Sequence, residues 1–230
     1  AGDRSIRRCP EYRSASFSDH RRLVSRPHVR PVSRSRSMSD TDSTSPGTLK
    51  RLGNVHHAAF RCRDAEQTRW FYEEVLGLPL AAAMVFDALP GTGKKSQYMH
   101  LFFELGDGNF IAFFDEPETA TNEHFARKDS FDVHIALEAE SHEAMLAWQA
   151  RINAAGKTCL GPVDHDFVQS VYMYDPNGLQ VEITCKSDDY ADIMTADAAV
   201  AHDQLTQWTA QTRADKESRF GAEALDQRGR

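Results

Sequence analysis

The sequence predicts an α+β fold in which one strand–helix–strand–strand–strand unit is used twice, followed by a C-terminal helix. Three observations predict it. The segment from His57 reads His-Ala-Ala-Phe-Arg-Cys-Arg-Asp and runs into a helix-like stretch with Trp70, Phe71, Val75 and Leu76 that stops at Gly77. The segment from His134 repeats this order, with Met145, Leu146 and Trp148 in its helix-like stretch and Gly156 at its end. Glycine is favoured just past a helix C-terminus, so both stops are meaningful. Each unit then reaches a Gly-led terminal strand, Gly108-Asn109-Phe110-Ile111-Ala112-Phe113 in the first and Gly178 to Ile183 in the second.

Alternation within the strands separates two faces. Around His57, the residues Ala58, Phe60 and Cys62 fall opposite His57, Ala59 and Arg61. Around His134, the residues Val133, Ile135 and Leu137 fall opposite His134, Ala136 and Glu138. The apolar sets suit packing against helices, which leaves both histidines on the other face. In the last strand Val181, Ile183 and Cys185 alternate with Gln180, Glu182 and Thr184, after an Asp175-Pro176-Asn177-Gly178 hairpin turn. A carboxylate on an inner strand face needs a counter-charge or a metal. Two imidazoles and one carboxylate, with further positions open, form the ligand set of non-haem Fe(II) oxygenases. His57, His134 and Glu182 are therefore the candidate metal ligands. Set against this, a lone strand histidine is ordinarily a hydrogen-bonded structural residue, and Glu182 alone could pair with Arg61.

Composition narrows the function classes. The chain has 230 residues, a net charge of -7 and 40% hydrophobic residues, enough for one sizeable core. That acidic balance argues against nucleic acid as a partner, since phosphate contact needs clustered Lys and Arg. No apolar run approaches the roughly 20 residues of a membrane-spanning helix, so no membrane role is expected. Cys9, Cys62, Cys159 and Cys185 lack zinc-type spacing and read as reduced thiols of a cytoplasmic protein.

The ends differ from the middle. Residues 1–52 are rich in Arg and Ser without apolar periodicity, and are expected to form a disordered arm. Met38 followed by Ser-Asp-Thr-Asp-Ser-Thr-Ser-Pro-Gly reads as the native start; a transit peptide and a basic binding arm are the alternatives. Residues 53–187 carry the repeated units, about 53–116 and 130–187. Residues 188–230 form a helical extension in which Ala198, Ala201, Leu205 and Trp208 keep helical spacing. That helix is expected to pack on the domain or on a neighbouring subunit of a homo-oligomer.

Residues 53–187 resemble the vicinal oxygen chelate superfamily, which includes glyoxalase I, fosfomycin-resistance proteins and type I extradiol ring-cleavage dioxygenases. The most specific stretch is Val163-Asp164-His165, five residues, Val171-Tyr172, two residues, Asp175-Pro176-Asn177-Gly178, three residues, Glu182. It is similar throughout to the extradiol dioxygenase signature. The resemblance implies two βαβββ modules forming an open, cupped sheet around the metal, with His57, His134 and Glu182 holding Fe(II), or Mn(II) in some members. It implies a catechol-type substrate and O2 as partners, with ring opening to a muconic semialdehyde-type product. It assigns His165 and Tyr172 as catalytic groups that hydrogen-bond the bound substrate.

Two positions separate the family's branches. Glyoxalase I has a second metal-binding Glu in the first module's terminal strand; aligning Gly108 with Gly178 puts Ala112 there. Three ligands suit a metal that must accept both oxygen and a diol, whereas four suit a Lewis-acid isomerase. Family dioxygenases also carry an acid/base His in a context like His-Ser-Leu-Ala-Phe, and Asn109 stands in its place. Asn hydrogen-bonds but relays no proton. Asn109 and His100, the latter in the preceding strand, are the candidate substrate-binding residues. Phe102, Phe103, Phe110, Phe114 and Phe167 suggest aromatic walls, although core packing accounts for most of them. Gly91-Thr92-Gly93-Lys94-Lys95-Ser96 lacks the leading Gly of a phosphate loop and reads as a turn. The rival functions are a metal-dependent lyase, isomerase or thiol transferase, and a non-catalytic drug-sequestering module.

Overall fold

The structure, a computed structural model, describes residues 52–228. The arm expected over residues 1–52 lies, apart from Leu52, outside the described residues, as does the start expected at Met38.

Both units fold as the repeat predicts. The first runs β1 (His57–Cys62), α1 (Ala65–Arg69), β2 (Leu80–Ala88), β3 (Lys95–Glu104) and β4 (Phe110–Asp115). The second runs β5 (His134–Glu138), α2 (His142–Ala154), β6 (Leu160–Asp164), β7 (Val168–Tyr174) and β8 (Gln180–Lys186). Each makes its own four-stranded sheet, in the orders β1-β4-β3-β2 and β5-β8-β7-β6. In both, the first and fourth strands pair in parallel and the other neighbours are antiparallel. A parallel pair needs a long crossover, and the helix with two further strands supplies it.

Helix starts follow local chemistry. The Asp64 side chain accepts from Gln67 N at 2.7 Å, and Ser141 Oγ accepts from Ala144 N at 3.1 Å. Each satisfies an amide that has no partner inside its helix. The first helix departs from simple helical expectation, because α1 passes into a wide π-helical stretch over Trp70–Val75. Its looser winding lets the adjacent Phe71 and Tyr72 both turn inward, and neither is exposed at all. Gly77 and Gly156 end the two helical stretches with φ of 70° and 81°.

The core lies on the helix-bearing faces of the sheets. One cluster joins Cys62, Phe71, Tyr72, Phe103, Ile111 and Phe113 of the first unit to Met145, Ile152, Val171, Val181 and Ile183 of the second. Helix-side contacts also bridge the units: Arg151 donates to the Glu74 carbonyl at 2.8 Å, and Gly77 lies against the Trp148 ring. The opposite sheet faces, which carry His57 and His134, take no part in this core.

Beyond β8 come α3 (Tyr190–Phe220) and α4 (Ala222–Asp226). Not one residue of α3 is buried, and positions 194–211 are exposed without interruption. Packing on its own domain, one of the two expected arrangements, is therefore not what the structure shows. Among the described residues no helix is long and apolar enough to cross a membrane.

Candidate metal centre and proton-carrying pair

Glu182 is the centre from which the site is built. It is 7% exposed in the middle of β8, on the face away from the core residues Val181 and Ile183. Its register partners are Ala136 on one side and Tyr172 on the other. His134, two residues before Ala136 on the same face, brings Nε2 to 3.5 Å from Glu182 Oε2. The other ring nitrogen, Nδ1, lies 2.8 Å from the Ser130 carbonyl oxygen. A carbonyl only accepts, so Nδ1 carries the hydrogen, and in the neutral ring Nε2 presents its lone pair on the side of the carboxylate. Two electron-pair donors facing one another, one of them oriented from behind by a backbone oxygen, match the donor chemistry of a divalent cation.

The first unit repeats the framework with one omission. His57 pairs with Phe110 as His134 pairs with Gln180, and Ala59 pairs with Ala112 as Ala136 pairs with Glu182. Ala112 thus occupies the place of Glu182. His57 does not join His134 and Glu182 within one chain: among the described residues no group of three or more His, Cys, Asp and Glu side chains could hold a metal. Its neighbours are His56, with Nδ1 atoms 2.9 Å apart, and the rings of Phe102 and His100 at 5.6 and 6.4 Å between centroids.

Beside Glu182, His165 and Tyr172 form a second pair. His165 Nε2 and the Tyr172 hydroxyl are 2.7 Å apart, and Tyr172 is directly opposite Glu182 in the ladder. Burial, reinforced by the Glu182 carboxylate, raises the Tyr172 phenol above its ordinary value. The phenol is therefore protonated at neutral pH and is a donor rather than a base.

The remaining two sequence-predicted residues lie on the first unit. His100 points to the open face of β3 and stacks on Phe114, 3.8 Å between centroids, with Phe102 at 4.3 Å. Its Nε2 is buried without a hydrogen-bond partner among the described residues, and burial first, then the charge of His57, keep the ring below the usual histidine range. Asn109 belongs to the turn before β4: its Nδ2 donates to Asp107 Oδ2 at 2.7 Å and its N to Asp107 Oδ1 at 3.0 Å. Of the expected aromatic walls, Phe102, Phe110 and Phe114 are only half-buried, while Phe103 is core and Phe167 lies against Tyr190.

Sequence reasoning missed two features. One is the Ser130 carbonyl behind His134, which no side-chain motif could reveal. The other is the role of the Asp-Pro-Asn-Gly turn. Asp175, 3% exposed, accepts from the amides of Asn177 and Leu179, both at 2.8 Å, and from the Tyr72 hydroxyl at 3.2 Å. Asn177 reaches Thr68 Oγ1 at 3.2 Å and accepts from Arg63 N at 2.9 Å. The turn that joins β7 to β8 is thereby tied to the start of the first unit's helix. Burial raises the Asp175 carboxyl, against the pull of these donors.

The profile of the glyoxalase/bleomycin resistance protein/dioxygenase superfamily matches residues 54–183. No curated protein matches the chain. Among solved structures, a glyoxalase/dioxygenase from Nostoc punctiforme is 25% identical, with a TM-score of 0.44, covering 62% of this chain and 100% of that one. A lactoylglutathione lyase from Agrobacterium tumefaciens is 21% identical, with a TM-score of 0.41, covering 59% and 95%. A variant of the fosfomycin resistance protein FosX from Listeria monocytogenes, complexed with Mn(II) and 1S,2S-dihydroxypropylphosphonic acid, is 17% identical, with a TM-score of 0.44, covering 60% and 97%. With its duplicated βαβββ units and a profile match over more than half its length, this chain belongs to the glyoxalase/bleomycin resistance protein/dioxygenase superfamily.

Proposed function

We propose that this protein is a non-haem Fe(II)-dependent extradiol dioxygenase, opening the ring of a catechol-type diol with O2. His134 and Glu182 of one copy hold the metal, and His57 of a second copy of the chain completes the set. The observation that carries the reading is the His165–Tyr172 pair placed beside Glu182, with a 2.7 Å contact between Nε2 and the hydroxyl. A metal-bound diol must lose a proton and have its oxygens oriented, and this pair is equipped for both. Ala112, standing where a fourth ligand would be, favours this reading over a four-ligand isomerase, and the His165–Tyr172 pair favours it over a thiol transferase.

Bound there, Fe(II) would supply a Lewis-acidic, redox-active centre with positions open to both diol and dioxygen. The chain's own groups do the rest. The Tyr172 hydroxyl accepts from the diol O–H and donates to His165 Nε2, so that as the diol ionises its proton passes to the Tyr172 oxygen while the Tyr172 proton passes to Nε2. His100, Phe102, Phe110 and Phe114 offer a flat aromatic face for the ring, and the unsatisfied His100 Nε2 would gain a partner in a substrate oxygen. Asn109, held by Asp107, supplies no proton.

The repeat supports a shared site. His57 and His134 occupy equivalent register positions, and a first unit paired with a second about a two-fold axis would set them against one another. Within one chain the units meet by their helix sides instead.

The test is an iron-loaded sample offered a panel of catechols in air. Oxygen uptake with a yellow product, abolished by a chelator, is expected; no uptake with any catechol would overturn the reading. Turnover without oxygen, with a thiol cosubstrate and Mn or Ni, would assign a transferase instead. Mixing two inactive proteins, His57→Ala and Glu182→Gln, should restore activity, because one of the two sites in a mixed dimer is intact. Without recovery the shared site is wrong.

A further inference from the structure

The helix α3 makes 31 residues of regular structure without burying one of them. Leu205 and Trp208 are 61% and 57% exposed, and Met194 is 41% exposed. An isolated helix is marginal in water, and helices in folded proteins draw their stability from packing an apolar stripe. This helix has such a stripe. Ala191, Met194, Ala198, Ala201, Leu205 and Trp208 recur at alternating spacings of three and four, the period of 3.5 that defines a coiled-coil seam. The stripe stops where α4 folds back, fastened by Arg213 to Asp226 at 2.9 Å.

We propose that α3 is a coiled-coil dimerisation element, and that its occupant is α3 of a second copy, running parallel and in register. Three features select this occupant. A two-and-a-half-heptad seam fits another helix of the same period, and its three alanines permit close approach. With Ala191, Ala198 and Leu205 at the a positions and Met194, Ala201 and Trp208 at d, the flanking g and e residues face one another across a parallel pair. Asp197 at g then meets His202 at e of the other copy, and Gln204 meets Thr209. No like charges oppose one another within this seam, which ends before Asp215. Finally, the helix rises directly from the second unit, since Ser187 accepts from Tyr190 N at 3.1 Å and binds the Phe167 carbonyl through Oγ at 3.0 Å. The domain therefore presents the seam on a fixed root.

The proposal does not depend on the metal reading, since its readout is the position of the helix. Full-length protein carrying Cys9→Ser, with Cys62, Cys159 and Cys185 buried, is given one further cysteine. At Ala201, a d position, two copies bring the sulfurs within disulfide reach; at Asp203, on the outer surface, they do not. Under mild oxidation Ala201→Cys should link copies at least about tenfold faster than Asp203→Cys. Adding Trp208→Glu should remove that advantage, with the domain's folding checked by unchanged reactivity of the buried thiols. Equal rates at the two positions, or no linking at Ala201→Cys, overturn the proposal; the latter is the outcome if α3 docks on its own domain or on a different protein.

Discussion

Ala112 in the first sheet and Glu182 in the second stand at the same place in the repeat, each paired with the residue two positions after the histidine that opens its unit. One unit contributes a carboxylate and the other a methyl group. On the proposed reading, the difference sets how many protein donors a metal would gather.

Ala112→Glu should therefore add a donor. The expected result is tighter retention of redox-inert divalent metal and a fall in oxygen uptake of at least about tenfold, because a fourth ligand closes a position that dioxygen needs. Metal analysis and oxygen electrode traces on the same sample check it. Undiminished uptake would show that the position does not face the metal.

Tyr172→Phe removes the hydroxyl that meets His165 Nε2 at 2.7 Å and leaves Glu182 and His134 in place. Turnover should fall about 100-fold, the low end for loss of a positioned proton carrier, with iron content unchanged. Loss of iron together with activity would reassign Tyr172 to holding the site rather than serving it.

Gly178→Ala should destabilise the whole domain. Gly178 has φ near +80°, and an added Cβ would lie 2.6 Å from the Ala126 carbonyl oxygen and 2.7 Å from that of Phe125. A strained left-handed residue alone costs about 1–3 kcal/mol, before the overlap is counted. The urea midpoint should drop accordingly; an unchanged midpoint would mean the turn relaxes freely.

Burial pushes the Cys62 thiol up to about 12 and the Cys159 thiol to about 11. At pH 8 both should resist iodoacetamide in the native protein and react after unfolding, read by mass spectrometry. The sign of the pH effect follows. A folded value above the unfolded one stabilises fully below the unfolded pKa, near 9, and that contribution is lost as pH rises through the folded value. Stability should therefore decline between about pH 9 and 12, and Cys62→Ala should flatten part of that slope.

Much of the fold was legible because strand alternation is local. The two-residue period around His57, His134 and Glu182 assigned each side chain to a face, and the ladders bear this out. The helix stops at Gly77 and Gly156 were equally readable. The π-helical stretch at Trp70–Val75 was not, since a wide turn and an ordinary one share the same apolar pattern and only the space around Phe71 and Tyr72 distinguishes them.

The site was legible in its parts. The resemblance of the stretch from Val163 to Glu182 named His165 and Tyr172 as substrate-binding groups; that Tyr172 stands opposite Glu182 with His165 Nε2 2.7 Å from its hydroxyl comes from the ladder between β7 and β8. Asn109 was legible only as a polar residue ahead of a strand; its bonds to Asp107, which shape the turn before β4, depend on local geometry that no motif states.

By itself the sequence determined the duplicated unit, the side of each strand on which every candidate ligand lies, and the absence of a carboxylate at Ala112. Tertiary structure alone decided that His134 and Glu182 meet while His57 stays apart, that Ser130 orients the imidazole, and that α3 stands clear of its own domain. Periodicity is a property of neighbouring residues and names a face; which two faces come together depends on contacts between segments far apart in the chain, and those are settled only when the core has closed.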